Sequence, residues 1–254
     1  MNATGKVAIV TGSATGVGAE VARQLAALGA GVVINYTKSL TEAQETKAAC
    51  EALGAKTLLV QADVSKDEDC QRLVAETVDA FGRLDFLVNN AGTSKFAAHH
   101  DLDALSADDF HRIYGVNVIG PFQMIRACVP VMQKSGGGAV VNVSSIAGVK
   151  AIGSSVAYCA SKAALNNMTV SLARALGPDV RINAVCPGLI QTRWLKEGLG
   201  EEFYNALVDG TKAANPLKAA STPEEIAEPI VWLLLGAKHV TGETMMVDAG
   251  QHLV

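Results

Sequence analysis

Paired cysteines, long apolar runs and a surplus of positive charge are all missing from this sequence, and each absence excludes a class of protein. Cys50, Cys70, Cys128, Cys159 and Cys186 are odd in number, widely scattered and never spaced C-x-x-C. That usage excludes a disulfide framework and suits free thiols in a reducing compartment, so a cytoplasmic location is expected. The best apolar run, 229–237, is far shorter than the roughly 20 residues of a membrane-spanning helix. No basic, apolar and small-residue leader opens the chain, because Lys6 to Gly12 already reads as a strand entering a glycine turn; a mature N-terminus is expected. With 21 Lys+Arg against 25 Asp+Glu the formal net charge is −4. Nothing in that balance draws the chain to a phosphodiester backbone or an anionic lipid surface, so neither nucleic acid nor membrane is an expected partner. Histidines at ligand spacing are also lacking: His99 and His100 are adjacent and His111, His239 and His252 stand apart, so no metal is expected.

What remains is an ordinary globular composition, 49% hydrophobic and 18% charged with 24 Gly and 7 Pro in 254 residues, which excludes disorder, collagen and coiled coil. Short β-branched runs at 7–10, 32–34, 57–60, 84–88, 139–143 and 180–185 alternate with helical patterns at 17–28, 41–53, 67–81, 107–132, 156–176 and 223–235. This alternation predicts an α/β fold, a doubly wound parallel sheet with helices on both faces, and the continuous apolar character of the runs fits strands covered on both sides. Thr222-Pro223-Glu224-Glu225 is a helix start, with Thr222 as N-cap and Glu225 three residues on. No repeat or linker is found, so one domain over 1–254 is expected. The least regular stretch, about 189–221, follows a strand's carboxyl end, where ligands bind in such sheets, and is read as a substrate lid.

After the first strand comes Thr11-Gly12-Ser13-Ala14-Thr15-Gly16-Val17-Gly18, then an amphipathic helix carrying Val21, Leu25 and Leu28. Gly12 permits the tight turn, Gly16 lets the backbone approach a pyrophosphate, and the helix beginning near Val17 offers free N–H groups and its positive dipole end. Gly12, Ser13, Thr15, Gly16, Val17 and Gly18 are therefore candidate cofactor-binding residues. The spacing differs from G-x-G-x-x-G, and a plain strand-to-helix connection uses glycines as well. NAD-binding sheets place Asp or Glu at the end of the second strand to hold the ribose 2′-OH; here stand Asn35, Tyr36, Thr37 and Lys38. No carboxylate repels a 2′-phosphate, and Thr37 and Lys38 are suited to bind one. NADP(H) is favoured and NAD(H) stays open, since Lys38 also reads as a solvated loop residue and no Arg supplies a bidentate grip. Asp63, with Val64, follows the third strand; its carboxylate is either an acceptor for the adenine amino group or a helix N-cap.

Tyr158 and Lys162 are four apart in an alanine-rich helical stretch and share a face. A lysine ammonium beside a phenol favours the phenolate and lowers its pKa, giving a proton donor and acceptor near neutrality. Spacing alone fits equally an exposed pair with an aliphatic stem against a ring. Ser145 lies thirteen residues before Tyr158, where the strand 139–143 ends at the ligand-binding edge; it is either a catalytic hydroxyl or a turn serine.

Together these residues resemble the short-chain dehydrogenase/reductases: Thr-Gly-x-x-x-Gly-x-Gly at 11–18, Asn89-Asn90-Ala91-Gly92, Asn117, Ser145, Tyr158-x-x-x-Lys162 and Pro187-Gly188 occur in that family's order over about 6–250. The resemblance implies a single Rossmann domain with a seven-stranded parallel sheet, the last strand at 243–247, a small carbonyl or alcohol substrate, and a homotetramer or homodimer. It implies that Tyr158 is the general acid in reduction, that Ser145 polarises the carbonyl, and that Lys162 lowers the Tyr158 pKa and holds the nicotinamide ribose. Asn117 would position a water continuing the proton path from Lys162. Asn90, Ala91 and Gly92 would pass beneath the adenosine ribose, and Pro187, Gly188, Ile190 and Thr192 would face the nicotinamide carboxamide.

The second-strand ending looks most like 3-oxoacyl-[acyl-carrier-protein] reductases and glucose-dehydrogenase-like members. The implied reaction is NAD(P)(H)-dependent interconversion of a carbonyl and a secondary alcohol, read as NADPH-dependent reduction of a 3-oxoacyl or other ketone. A sugar or alcohol dehydrogenase and a catalytically silent nucleotide-binding regulator are the alternatives, the second disfavoured by the four catalytic residue types. Epimerase-like relatives have a different glycine spacing and a longer C-terminal domain. Trp194, Leu195, Leu199, Phe203, Tyr204 and Leu207 in the lid form an apolar wall suited to acyl or ring substrates, or pack a lid helix on the core. The turn 176–181 is a residue shorter than the family's commonest form, away from the active edge. Cys159 and Cys186 flank the motifs and are assigned no role.

Overall fold

The apolar runs become seven strands, β1 (Val7–Val10), β2 (Gly31–Tyr36), β3 (Thr57–Gln61), β4 (Phe86–Asn89), β5 (Gly138–Val143), β6 (Val180–Pro187) and β7 (Thr244–Val247). The computed structural model describes residues 1–254, the side chain of Trp194 excepted. The strands pair in the order β3-β2-β1-β4-β5-β6-β7, every pair parallel. Because strand side chains alternate, each run feeds two cores. Ala8, Val10, Val32, Ile34 and Val141 face one, closed by α1 (Gly16–Ala27) and α10 (Pro223–Leu235). Ile9, Val33, Leu87, Val140 and Ile182 face the other, closed by α3 (Asp67–Phe81), α5 (Gly120–Lys134) and α7 (Val156–Leu176). Helix α2 (Leu40–Ala52) packs on α1 and the outer strands. Thr222 caps α10 in a capping box with Glu225, as the sequence predicts.

Two stretches depart from the sequence reading. The helix expected over 107–132 is three pieces: α4 (Ala107–Tyr114), a wide π turn over Gly115–Ile119, and α5. Gly120 sits flush on Val64, whose Cγ2 would lie 2.9 Å from an added Cβ, and Pro121 has no N–H for the carbonyl four residues back. The local unwinding turns Asn117 inward, 1% exposed, and π bulges of this kind gather at functional sites. The stretch 189–221 is not irregular: it holds α8 (Arg193–Leu199) and α9 (Glu201–Ala214), with Thr192 Oγ1 capping α8. A short helix, α6 (Ala147–Lys150), intervenes between β5 and α7.

Candidate active site

The strand order reverses between β1 and β4, and a cleft of about 1500 Å³ opens above their carboxyl ends, the place where such sheets bind ligands. Gly12 and Gly16 take φ of +60° and +59°, the left-handed region open to glycine. A Cβ at Gly12 would stand 2.9 Å from Ala91 Cα, so the two loops touch backbone to backbone. Thr11 Oγ1 accepts from the Asn90 and Ala91 amides, and Asn90 Nδ2 donates to the carbonyls of Thr11 and Gly12. Thr15 makes no side-chain cap to α1, whose first turn carries no acidic residue. The unspent N–H groups and positive dipole end face the cleft lined by Thr15, Gly16 and Val17, a cradle that fits a diphosphate.

Not every residue expected at the cofactor faces the cleft. Ser13 is fully buried: its Oγ donates to Val10 O and accepts from Asn35 N, so it braces the turn from within. Gly18 lies against Asn90 and leaves no room for a Cβ, which makes it a packing residue. Asn35 touches the cleft wall but is 1% exposed. Its Oδ1 accepts from Gly12 N at 3.0 Å and its Nδ2 donates to Ala62 O at 3.0 Å and Val60 O at 3.4 Å. With the whole amide spent on backbone, Asn35 clamps the glycine turn and has nothing left for a ribose. Tyr36 shares the parity of Ile34 and packs on the α1 side core. Thr37 and Lys38, both exposed, line the cleft. Asp63, Val64, Asn90, Ala91, Gly92, Pro187, Gly188, Ile190 and Thr192 line it too. The N-cap reading of Asp63 is corrected: Lys66 holds that position, and Asp63 Oδ1 instead accepts from the amide and hydroxyl of Ser65.

Helix α7 starts at Ser155, whose buried Oγ accepts from Tyr158 N at 3.3 Å. Tyr158 and Lys162 then stand one turn apart and both line the cleft. Gly148 of α6 presses on the Lys162 carbonyl carbon, 2.6 Å from where a Cβ would be, and Ser144 Oγ donates to Lys162 O. This close approach brings Ser145, two residues past the end of β5, into the cleft beside Tyr158, and its Oγ accepts from Ala147 N. Lys162 Nζ donates to Val143 O at 2.8 Å and lies 5.6 Å from the centre of the Tyr158 ring. Burial pushes the phenol up to about 12, against a smaller lowering by Ser145, and pushes the Lys162 ammonium down to about 8. The expected lowering of the Tyr158 pKa is thus absent: the ammonium sits over the ring and is anchored to a carbonyl, while burial disfavours both charges. Asn117 Oδ1 accepts from Thr93 N, and its Nδ2 donates to Thr93 O and Ser161 Oγ. A buried chain from Asn89 through Asn142 to Thr169 ties β4 and β5 to α7.

The far end of the cleft is walled by Leu195, Leu199, Phe203 and Leu207 from α8 and α9, whereas Tyr204 does not reach it and the side chain of Trp194 lies outside the described residues. Phe96, Arg112, Ile152, Ser154 and Gln251 also line the cleft; none belongs to a motif, and only the fold brings them there. Among the described residues no cluster of His, Cys, Asp or Glu could hold a metal ion, and no helix is long and apolar enough to cross a membrane. All five cysteines are buried and unpaired.

This site, a dinucleotide cradle joined to a Ser, Tyr and Lys cluster on a parallel sheet, defines an oxidoreductase class. A family model described as enoyl-(acyl carrier protein) reductase matches residues 12–252. The chain is 42% identical over 248 residues, 98% of it and 96% of the relative, to a protein described as ketoacyl reductase 2 of the granaticin polyketide synthase of Streptomyces violaceoruber. It is 36% identical to glucose 1-dehydrogenase 2 of Bacillus subtilis, over 98% of this chain and 96% of that one. A crystal structure described as a short-chain dehydrogenase/reductase from Burkholderia xenovorans superposes with a TM-score of 0.92 at 37% identity, covering 100% of each chain. The chain belongs to the short-chain dehydrogenase/reductases, oxidoreductases with an NAD(P) nucleotide cofactor.

Proposed function

We propose that the protein reduces a 3-oxoacyl or other ketone to the secondary alcohol with NADPH. The observation that carries the reading is the convergence of Ser145 and Tyr158 in the cleft, two side-chain hydroxyls that line it together, the serine near enough to lower the phenol slightly, so that one carbonyl oxygen can meet both donors. When bound, the reduced nucleotide supplies hydride to the carbonyl carbon. Ser145 donates a hydrogen bond to the carbonyl oxygen and polarises it. Tyr158, held protonated by burial, transfers its phenolic proton to that oxygen as general acid. Lys162, anchored on Val143 O, offers the nearby positive charge that stabilises the phenolate left behind and reaches the nicotinamide ribose. Asn117, locked by Thr93 and Ser161, positions the water that returns a proton.

Gly12, Thr15, Gly16 and Val17 hold the diphosphate; Asp63 and Val64 hold the adenine; Asn90, Ala91 and Gly92 lie beneath the ribose; and Pro187, Gly188, Ile190 and Thr192 face the nicotinamide. The choice of NADPH rests on Thr37 and Lys38, exposed at the cleft mouth with no carboxylate among the residues that end β2. The segment 189–221 acts as a substrate lid over one domain, and its apolar wall favours acyl or ring ketones over free sugars. The protein works in the cytoplasm, where its five cysteines stay thiols, as a homotetramer or homodimer that covers exposed Ile119, Phe122 and Trp232.

The test is fluorescence titration with NADPH and NADH, beside Lys38→Ala, followed by a panel of ketones, sugars and enoyl thioesters. NADPH is expected to bind at least about tenfold tighter, a margin of about 1.4 kcal/mol, and Lys38→Ala to erase it. Equal or tighter NADH binding overturns the NADPH assignment and makes alcohol and sugar oxidation the reading to test first.

A further inference from the structure

One of the cleft residues that no motif accounts for is Gln251, in the 3₁₀ turn Gln251–Leu253 close to the carboxyl end of the chain. Its side chain does not point into solvent: Oε1 accepts from Leu189 N at 2.9 Å. Gly188 is pressed on the same group, so closely that a Cβ there would lie 2.5 Å from Gln251 Oε1 and 2.7 Å from Asp248 Cβ. The backbone of the loop after β6 is therefore seated on the segment 248–251 and held by one side-chain acceptor.

That segment is itself held firmly. Asp248, 5% exposed, accepts from the amides of Gly250 and His252 and pairs with His252 Nδ1 at 2.9 Å. Lys150 Nζ donates to the carbonyl of Gln251. The same segment also grips the return stalk of the lid: Leu217 N donates to Ala249 O, Asn215 Nδ2 donates to Asp248 O, and Pro216 packs on Gly250. The two stalks are joined to each other by Ser221 N to Leu189 O, Gln191 N to Ser221 O and Gln191 Nε2 to Ala220 O. Two of the non-glycine residues at positive φ, Lys218 at +53° and Ala249 at +55°, lie at this junction. Strain retained at one place marks a conformation the surroundings impose.

We propose that Gln251 is a positioning residue: by fixing Leu189 N it sets the Pro187–Thr192 loop, and with it both lid stalks, at the height the nicotinamide half of the cofactor requires. This rests on the reading that 187–192 faces the nicotinamide. Gln251 takes no part in proton transfer. Its effect falls on the half of the nucleotide that the loop faces, because the hydrogen bonds that hold the glycine turn come from Asn35 and Asn90.

The experiment compares two ligands on the full chain: NADPH, and 2′-phospho-ADP-ribose, which lacks the nicotinamide. Gln251→Met keeps the length of the side chain and removes the acceptor, Gln251→Ala removes it without placing a thioether in the cleft, and Gln251→Glu keeps an acceptor at the same reach. Gln251→Met and Gln251→Ala are expected to weaken NADPH about fivefold, the worth of one lost hydrogen bond, and to leave 2′-phospho-ADP-ribose within twofold of wild type. Gln251→Glu is expected to recover most of the NADPH affinity. NADPH affinity unchanged in both truncations overturns the proposal. An equal loss for both ligands overturns it too, since that is the mark of general unfolding, which a thermal melt of each variant reads directly. Wild-type protein that binds neither ligand overturns the nucleotide reading and this inference with it, whereas normal wild-type binding with unchanged variants removes the inference alone.

Discussion

Asn35 Oδ1 accepts the Gly12 amide at 3.0 Å across the gap between β2 and the glycine turn. One buried amide thus ties together the first three strands, through Gly12 after β1 and Val60 and Ala62 at the end of β3. Asn35→Ala leaves these backbone groups without partners and is expected to cost about 2 to 3 kcal/mol in unfolding experiments. Because the turn is shared by both nucleotides, NADPH and NADH are expected to weaken together. A selective loss of NADPH alone would mean that Asn35 faces the 2′ position after all.

Tyr158→Phe removes the acid and leaves the ring that packs beneath it. The expected result is a fall in turnover of about 10²- to 10⁴-fold with nucleotide affinity within about twofold of wild type. Ser145→Ala is expected to lower turnover less. Steady-state kinetics beside a nucleotide titration separate the two effects, and a Tyr158→Phe enzyme with near-normal turnover would remove Tyr158 from the reaction.

Lys162 is buried with its pKa near 8 in the folded chain, against about 10.4 when unfolded. The folded state sheds this proton first, so between about pH 8 and 10 the unfolded state binds more protons and stability rises with pH. Lys162→Met lacks the group. Wild-type stability is expected to gain on that variant across the window, by at most about 1.4 kcal/mol per pH unit. Tyr158, shifted up to about 12, acts in the opposite sense only above pH 10. Parallel denaturation curves for the two proteins from pH 7 to 10 would contradict the burial of the ammonium.

Gly198 on α8 lies directly against the Phe96 ring, with no space for a Cβ. Gly198→Ala is expected to lift α8 from the cleft wall, raising KM for ketones several-fold with little change in nucleotide affinity and a stability cost of about 1 to 3 kcal/mol. Pairing it with Phe96→Ala makes room and is expected to restore KM in part, a coupling read by a double-mutant cycle. Additive effects would show that the two residues act separately.

The strands, the helix caps and the glycine turn were legible because each depends on a few adjacent residues. The parity of β2 was legible too: Tyr36 follows Ile34 onto the core face, and the alternation of a strand says so. The unwinding at Gly115–Ile119 was not, since a helical pattern of apolar residues survives the insertion of one wide turn, and the pressure on Gly120 comes from Val64, distant in sequence. Nor were α8 and α9: Gly198, Gly200 and Gly210 interrupt the helical pattern, and α8 is only seven residues long.

By itself the sequence determined the sheet, the order of its elements, the glycine turn after β1 and the one-turn spacing of Tyr158 and Lys162, because local backbone preferences and side-chain periodicity act over short distances. Only the tertiary structure decided that Asn35 is a clamp, that Lys162 is anchored to Val143 and lies over a phenol kept protonated, and that Gln251 reaches the loop after β6. Each of these depends on which backbone groups are buried without a partner when strands and loops far apart in the chain come together, and burial sets both the cost of leaving them unpaired and the cost of carrying charge.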